Sequence, residues 1–160
     1  MYRLRSLLCG LHGREQYPRG GKAADAQWGY TMQDDLDDGM QFLVKKGLAN
    51  PDRLAMFGWS YGGYMSSLCL FKGADVFKSA IAVAPVTNWK WYDTVYTERY
   101  MQTEEENPNG YADNSPVNFA DQLRGNYLLV HGMSDDNVHF QNTAEMANAL
   151  ISANKQYDTY

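Results

Sequence analysis

Three short apolar segments, each followed by polar or glycine-rich residues, constrain the fold of this chain more than any other feature. They lie at residues 53–59, 79–84 and 127–131, and their length suits buried strands. Segments with apolar residues at helical spacing occupy residues 31–46, 61–71 and 140–154, and a further strand is expected to begin near Tyr157. Alternating helices and buried strands predict an α/β fold with a mostly parallel sheet and helices on both faces.

The first and last helical segments allow more detailed expectations. In residues 31–46, Thr31 is placed to cap the start of the helix, and Leu36 and Met40 share its apolar face. In the last segment one face is expected to be apolar, and it consists of Phe140, Ala144, Ala147 and Ile151. Residues 1–24 show no sustained period and are expected to form an irregular leader.

Composition narrows the classes of function. The chain has 160 residues, 44% of them hydrophobic, which suits one domain with a core. A net charge of −5 without a basic tract argues against nucleic acid as a partner. No stretch approaches the roughly 20 apolar residues of a membrane-spanning helix. Cys9 and Cys69 both stand among leucines, so no disulfide is expected.

Four aspartates near residue 36 superficially resemble a calcium loop. Leu36, however, occupies a position where that loop needs a ligand, and the segment has helical periodicity. We therefore expect neither a metal ion nor a cofactor. The aspartates concerned are Asp34, Asp35, Asp37 and Asp38.

The turn Gly58-Trp59-Ser60-Tyr61-Gly62 lies between an apolar run and a helical segment. It matches the G-x-S-x-G nucleophile elbow, in which a sharp turn projects a serine hydroxyl above a sheet. A dinucleotide-binding loop would need glycine in place of Ser60, and a phosphate-binding loop would need a Gly-Lys-Ser/Thr sequence that is absent. Ser60 is therefore the candidate nucleophile, and the Tyr61 N–H is a candidate oxyanion donor.

A serine nucleophile needs a base and an acid that orients it. Asp135 follows the third apolar run, where this fold places the acid, and Asp136 is its close rival. No histidine follows a later strand. His131 and His139 are expected to pack or to bond within their loop rather than act as the base, and His12 lies in the leader.

Residues 53–160 resemble the catalytic domain of the prolyl oligopeptidase family of serine peptidases, closest to its dipeptidyl peptidase IV branch. The shared stretches are residues 58–64, 82–86, 91–100 and 131–140. Residues 27–52 resemble bacterial members, whereas residues 1–24 have no such match. The resemblance implies an α/β-hydrolase fold, and residues 25–160 would then be a partial peptidase domain.

Carried over by position, the resemblance implies Ser60 as nucleophile, the Tyr61 N–H in the oxyanion hole and Asp135 as the triad acid. It also implies a set of substrate-binding residues that wall a pocket for proline or another small side chain. These are Val86, Trp89, Tyr92, Tyr96 and Val138, with Asn137 binding a substrate carbonyl. Spacing of three and four residues puts the aromatic members on one face if they form a helical turn.

The sequence also departs from the family pattern. Family members have an oxyanion-hole tyrosine on an earlier strand, a histidine after the last strand and a β-propeller domain, and none is found here. Glu104 to Glu106 are not the substrate-binding glutamates of the propeller but an expected solvated loop.

We therefore expect a serine peptidase domain that acts on peptides, forms a homodimer at full length and has little activity as this chain. A non-catalytic binding module and an esterase remain the alternatives.

Overall fold

The structure is a computed structural model that describes residues 30–160, with side chains from Met32 onward. The expected leader, His12 and Cys9 lie outside the described residues. Five helices are present in the described part: α1 (Tyr30–Lys45), α2 (Tyr61–Lys72), α3 (Thr94–Met101), α4 (Pro108–Asp113) and α5 (Gln141–Ser152). The strands there are β1 (Ala55–Trp59), β2 (Ser79–Val83), β3 (Asn126–Val130) and β4 (Asp158–Thr159). Short 3-10 turns occupy Pro51–Arg53, Trp89–Trp91 and Pro116–Gln122.

The strands form one parallel sheet in the order β1-β2-β3-β4. Trp59 pairs with Val83, and Val83 pairs with Val130, so the carboxyl ends of the first three strands lie at one edge. Residue 60 and the loop after residue 130 therefore start from the same edge of the sheet. The predicted parallel sheet with helices is confirmed.

The first face of the sheet packs against α2, which is buried from Gly63 to Phe71. Ala80, Ala82, Tyr127 and Leu129 point to this side and are almost fully buried. Right-handed crossovers between strands that advance in one direction place their helices on the same face. Within residues 30–160, α2 is the helix that packs against this face of β1 and β2.

Strand β1 is more exposed than its apolar sequence suggests. Phe57 and Trp59 are 71% and 69% exposed, although the run was predicted to be a buried strand. The exposure is shared by Ile81 on the inner strand β2, so it belongs to this face of the described sheet and not to the edge position of β1. The apolar run therefore predicts the strand correctly, but it does not predict whether the side chains on this face are buried.

Helix α5 also differs from the prediction. Its buried residues are Asn142, Thr143, Met146 and Leu150, whereas Ile151 is 66% exposed. Two stripes at helical spacing lie side by side in this sequence, and the buried one includes Asn142, which bonds Thr87. In α1 the described helix already includes Tyr30, so Thr31 lies inside it instead of capping it.

A buried hydrogen-bond chain ties α2 to the sheet. The Ser67 hydroxyl donates to the Gly63 carbonyl at 2.8 Å, so the Tyr127 hydroxyl must donate to Ser67 Oγ, also at 2.8 Å. Burial raises the pKa of Tyr127, so this hydroxyl keeps its proton. Among residues 30–160 no helix has the length and apolar character needed to span a bilayer.

Candidate active site

Ser60 stands at the sharp turn from β1 into α2. Its φ of 55° and ψ of −114° lie outside the regions that L-residues prefer, a conformation that costs of order 1–3 kcal/mol. The Ser60 N–H donates to the Val83 carbonyl at 2.8 Å, and the Ser60 carbonyl accepts from the Tyr64 N–H at 2.9 Å. The side chain makes no helix cap, so the hydroxyl is not used to begin α2.

Glycines on both sides of Ser60 permit this turn. A Cβ on Gly58 would lie 2.1 Å from the Gly62 carbonyl oxygen, and one on Gly63 would lie 2.8 Å from the Val83 carbonyl oxygen. Both contacts are with backbone, which cannot rotate away as a side chain can. A Cβ on Gly62, in contrast, would meet nothing within 4 Å.

The loop after β3 holds Asp135 in a defined orientation. Its Oδ1 accepts hydrogen bonds from the N–H groups of Asn137 and Val138, each at 3.0 Å, and its own N–H donates to the Gly132 carbonyl at 3.2 Å. The second oxygen, Oδ2, lies 3.6 Å from His131 Nε2. Asp136, its rival in the sequence, is exposed and makes no comparable bond to other described residues.

His131 is buried and has both ring nitrogens bonded. Nε2 lies 2.7 Å from the Val138 carbonyl oxygen, which can only accept, so Nε2 carries the proton. Nδ1 then accepts from the Thr143 hydroxyl at 2.6 Å. The ring thus joins the acid loop to α5 and matches the expected loop-bonded histidine. His139 is exposed, and its carbonyl accepts from Asn142.

Ser60 and the Asp135 loop leave the same edge of the sheet, with β2 between their strands. Adjacent strands are about 4.8 Å apart, so β1 and β3 are separated by about 10 Å. Two hydrogen bonds of about 3 Å joined by an imidazole ring span about 8 Å. The separation of the two strands is thus of the same order as this span.

An aromatic cluster follows β2 beside this edge. The Trp89 ring lies 6.2 Å from Tyr92 and 6.3 Å from Tyr96, and the two tyrosine rings are 5.5 Å apart. The Tyr92 hydroxyl donates to Asn137 Oδ1 at 3.0 Å, which links the cluster to the acid loop. Three sequence-predicted substrate residues, Tyr92, Tyr96 and Asn137, are therefore at least partly exposed around one region.

The other predicted pocket residues lie deeper. Val86, Trp89 and Val138 are each only 1% exposed, and of these the Trp89 ring packs against the partly exposed Tyr92 and Tyr96. Tyr61 joins them, because its ring lies 5.8 Å from Trp89 and its hydroxyl donates to Met32 Sδ at 2.7 Å. Its backbone N–H lies in the first turn of α2, where the N–H groups point toward the N-terminus of the helix.

Two residues near the site were missed by sequence reasoning. Asn142 Oδ1 accepts from the Thr87 N–H at 2.9 Å, and the Thr87 hydroxyl donates to the Asn142 carbonyl at 2.7 Å. These bonds hold the segment that leads to Trp89. A fully buried asparagine within an amphipathic helix was the only signal, and the pattern alone did not show that it faced inward.

Two cavities in the described region lie away from Ser60. One of about 130 Å³ borders the aromatic cluster and includes Tyr92, Thr97 and Tyr111 in its lining, and one of about 320 Å³ lies against Val44 and Leu54. In residues 30–160 no group of three or more His, Cys, Asp or Glu side chains is placed to hold a metal ion. Cys69 is buried without a disulfide, and burial raises the pKa of its thiol.

A serine in a strained strand-to-helix turn, above a parallel sheet and level with a carboxylate loop, defines an α/β-hydrolase fold. The chain belongs to the prolyl oligopeptidase family, whose profile matches residues 18–160. That match begins at residue 18, inside the expected leader, so the family resemblance extends farther toward the N-terminus than the sequence pattern indicates.

Individual relatives agree with this family. The chain is 44% identical to dipeptidyl peptidase 4 of Sus scrofa over 133 residues, which are 81% of this chain and 17% of that protein. It is 45% identical to prolyl endopeptidase FAP of Homo sapiens over 127 residues, with 78% and 17% covered. The crystal structure of Porphyromonas gingivalis dipeptidyl peptidase 4 superposes with a TM-score of 0.83 at 42% identity, covering 87% of this chain and 20% of that chain. The chain thus spans about a sixth of the curated relatives' length.

Proposed function

We propose that this chain carries the nucleophile, oxyanion donor and acid of a serine peptidase that cleaves peptides after proline or alanine. The observation that carries the proposal is the backbone of Ser60, which is held in a costly conformation by bonds to Val83 and Tyr64 and leaves its hydroxyl uncommitted to the helix. Strain of this kind persists where the surrounding structure enforces it, and it is concentrated at functional sites.

The proposed reaction passes through an acyl-enzyme. In the family's reaction the Ser60 hydroxyl attacks the scissile carbonyl while the family's histidine, a role that neither His131 nor His139 fills here, is oriented by Asp135 and accepts its proton. The oxyanion then accepts a hydrogen bond from the Tyr61 N–H. The histidine returns the proton to the leaving amine. Water, deprotonated by the same base, then cleaves the Ser60 ester and releases the acid product. One oxyanion donor typically contributes about 10²–10³ in rate.

The proposed specificity uses the aromatic cluster. Tyr92 and Tyr96 present flat walls over Trp89, a shape that suits the rigid ring of proline. Asn137, bonded to the Tyr92 hydroxyl, would bind a substrate carbonyl through its amide Nδ2. The relatives named for dipeptidyl and prolyl peptidase activity favour this substrate class.

We also propose that this chain hydrolyses peptides slowly. His131 uses both nitrogens within its own loop, so it is not available to take the proton from Ser60. The same observation favours the second candidate, a non-catalytic binding module on this fold.

Chemical rescue separates the two functions. Without additives, we expect Gly-Pro p-nitroanilide hydrolysis near background, as in triad dissections elsewhere. Added imidazole should accelerate p-nitrophenyl ester hydrolysis by the wild type beyond the rate of imidazole alone in solution. The Ser152→Ala control should show the same gain, and Ser60→Ala should show none. No Ser60-dependent gain would favour the binding module. Fast unaided amide cleavage would refute the low turnover, and ester cleavage without any rescued amide cleavage would favour an esterase.

A further inference from the structure

The two carboxylate oxygens of Asp135 are used differently. Oδ1 accepts hydrogen bonds from the N–H groups of Asn137 and Val138, each at 3.0 Å, whereas Oδ2 accepts none from the residues that the structure describes. The side chain is buried except for 24% of its surface. A triad acid acts by accepting a hydrogen bond from the base, so Oδ2 is the oxygen that has to remain available.

A competing donor lies close to this oxygen. His131 Nε2, which carries the ring proton, is 3.6 Å from Asp135 Oδ2, just beyond hydrogen-bonding distance. It donates instead to the Val138 carbonyl at 2.7 Å. A hydrogen bond to a carboxylate is roughly twice as strong as one to a neutral carbonyl. A small tilt of the ring would exchange the weaker acceptor for the stronger one, so something must restrain the ring.

The restraint lies on the opposite side of the His131 ring. The Thr143 hydroxyl is 2.6 Å from Nδ1, and Thr143 is only 3% exposed in the first turn of α5, where the helix fixes its backbone. The Phe140 ring packs edge-on against the imidazole, with ring centroids 5.7 Å apart. The imidazole therefore cannot tilt toward Asp135 without giving up its bond to Thr143.

We infer that His131 and Thr143 are positioning residues of the acid loop. Thr143 holds the imidazole so that its Nε2–H serves the Val138 carbonyl and leaves Asp135 Oδ2 to orient the base. The pair acts through Asp135 and not on the substrate. This role rests on the proposed function, because it takes Asp135 to be the triad acid.

Imidazole-rescued ester hydrolysis tests this role. Added imidazole takes the place of the base, so the concentration that gives half the maximal Ser60-dependent rate reports how well Asp135 holds it. Thr143→Val removes the hydroxyl at nearly constant volume, and the released His131 ring should then bond Asp135 Oδ2. Half-saturating imidazole should rise about tenfold, the factor for one hydrogen bond of ordinary strength. Thr143→Ser keeps the hydroxyl and should stay within about twofold of the wild type.

A double variant separates positioning from a general loss of stability. In His131→Phe/Thr143→Val no ring N–H competes for Asp135 Oδ2, so half-saturating imidazole should return close to the wild-type value. Thr97→Val is the matched control, because Thr97 is 2% exposed and its hydroxyl has no hydrogen-bond partner in the part of the chain that the structure describes. This control should leave the imidazole requirement unchanged.

NMR of the whole chain labelled with ¹⁵N-histidine reads the ring directly. The buried His131 Nε2–H should give a slowly exchanging signal, and His131→Phe assigns the signal by removing it. In Thr143→Val the signal should move downfield, because a hydrogen bond to a carboxylate is shorter than one to a carbonyl.

An imidazole requirement that is unchanged in Thr143→Val, or raised equally in the double variant, would overturn the inference. A wild-type ring that carries its proton on Nδ1 would overturn it without any Thr143 variant. If the wild type shows no Ser60-dependent rescue at all, the proposed function is refuted instead, and the NMR signals still decide which acceptor His131 uses.

Discussion

Gly58→Ala and Gly62→Ala are the same chemical change four residues apart, and the structure predicts opposite effects. At Gly58 the new Cβ would lie 2.1 Å from the carbonyl oxygen, 2.2 Å from the carbonyl carbon and 2.6 Å from the Cα of Gly62. Ordinary van der Waals contact begins at about 3.4 Å. All three atoms are backbone, so the start of α2 would have to move relative to β1.

The loss of stability in Gly58→Ala depends on how firmly the turn at Ser60 is held in place. Overpacking costs about 1–3 kcal/mol and occasionally more. Here the turn is also held by the bond from the Ser60 N–H to the Val83 carbonyl, and Ser60 has little conformational freedom left. We expect a loss of about 3 kcal/mol or more in the free energy of unfolding.

Gly62→Ala should be neutral or stabilising. Nothing lies within 4 Å of the position that a Cβ on this residue would take, and the residue is in α2, where alanine is favoured over glycine by about 0.5–1 kcal/mol. The two variants should therefore differ by about 4 kcal/mol, or roughly 8–16 °C in Tm for a chain of this length.

Urea unfolding followed by circular dichroism at 222 nm measures both variants. Protein concentration must be the same throughout, since self-association would shift apparent stability. Equal effects of the two substitutions, or a stable Gly58→Ala variant with wild-type Tm, would refute the close approach of β1 and α2 at the elbow.

Three further predictions concern stability and use the same urea assay. Burial, followed by neighbouring carboxylates, raises the pKa of Asp37 from 3.8 to about 6. Because the folded-state pKa is raised, ionisation opposes folding: stability should fall as pH rises from about 4 to 6 and then level off. Asp37→Asn should remove this fall and stabilise the chain at pH 7.5 by about 1 kcal/mol, a value reduced for solvent screening of a half-buried group; a pH profile parallel to the wild type would contradict it. Tyr127→Phe should cost about 1–2 kcal/mol, because it removes the donor to Ser67 and leaves a buried acceptor unpaired; an unchanged urea midpoint would count against that bond. Asn142→Ala should cost about 2–3 kcal/mol, since the buried Thr87 N–H loses its acceptor, whereas the exposed Asn148→Ala serves as a control expected within about 0.5 kcal/mol.

Local patterns predicted the elements and their order well. The apolar runs became β1, β2 and β3, the strand expected near Tyr157 became β4, and the elbow lies between strand and helix as its motif requires. The Ser60 turn could be predicted because glycine spacing, a preceding strand and a following helix are all properties of adjacent residues. The position of Asp135 and Asn137 on one loop could be predicted too, because the two residues are close together in the sequence.

The sequence by itself determined where strands, helices and the elbow occur, because periodicity and turn chemistry act over a few residues. Only the tertiary structure decided that α5 buries Met146 rather than Ile151, that Phe57 is bare, and that His131 bonds Val138 and Thr143 through its two ring nitrogens. Burial and side-chain bonding depend on which distant segments meet. Neighbouring stripes on one helix, or a strand with and without an element over its face, cannot be told apart from the sequence pattern, because burial depends on the segments that pack there.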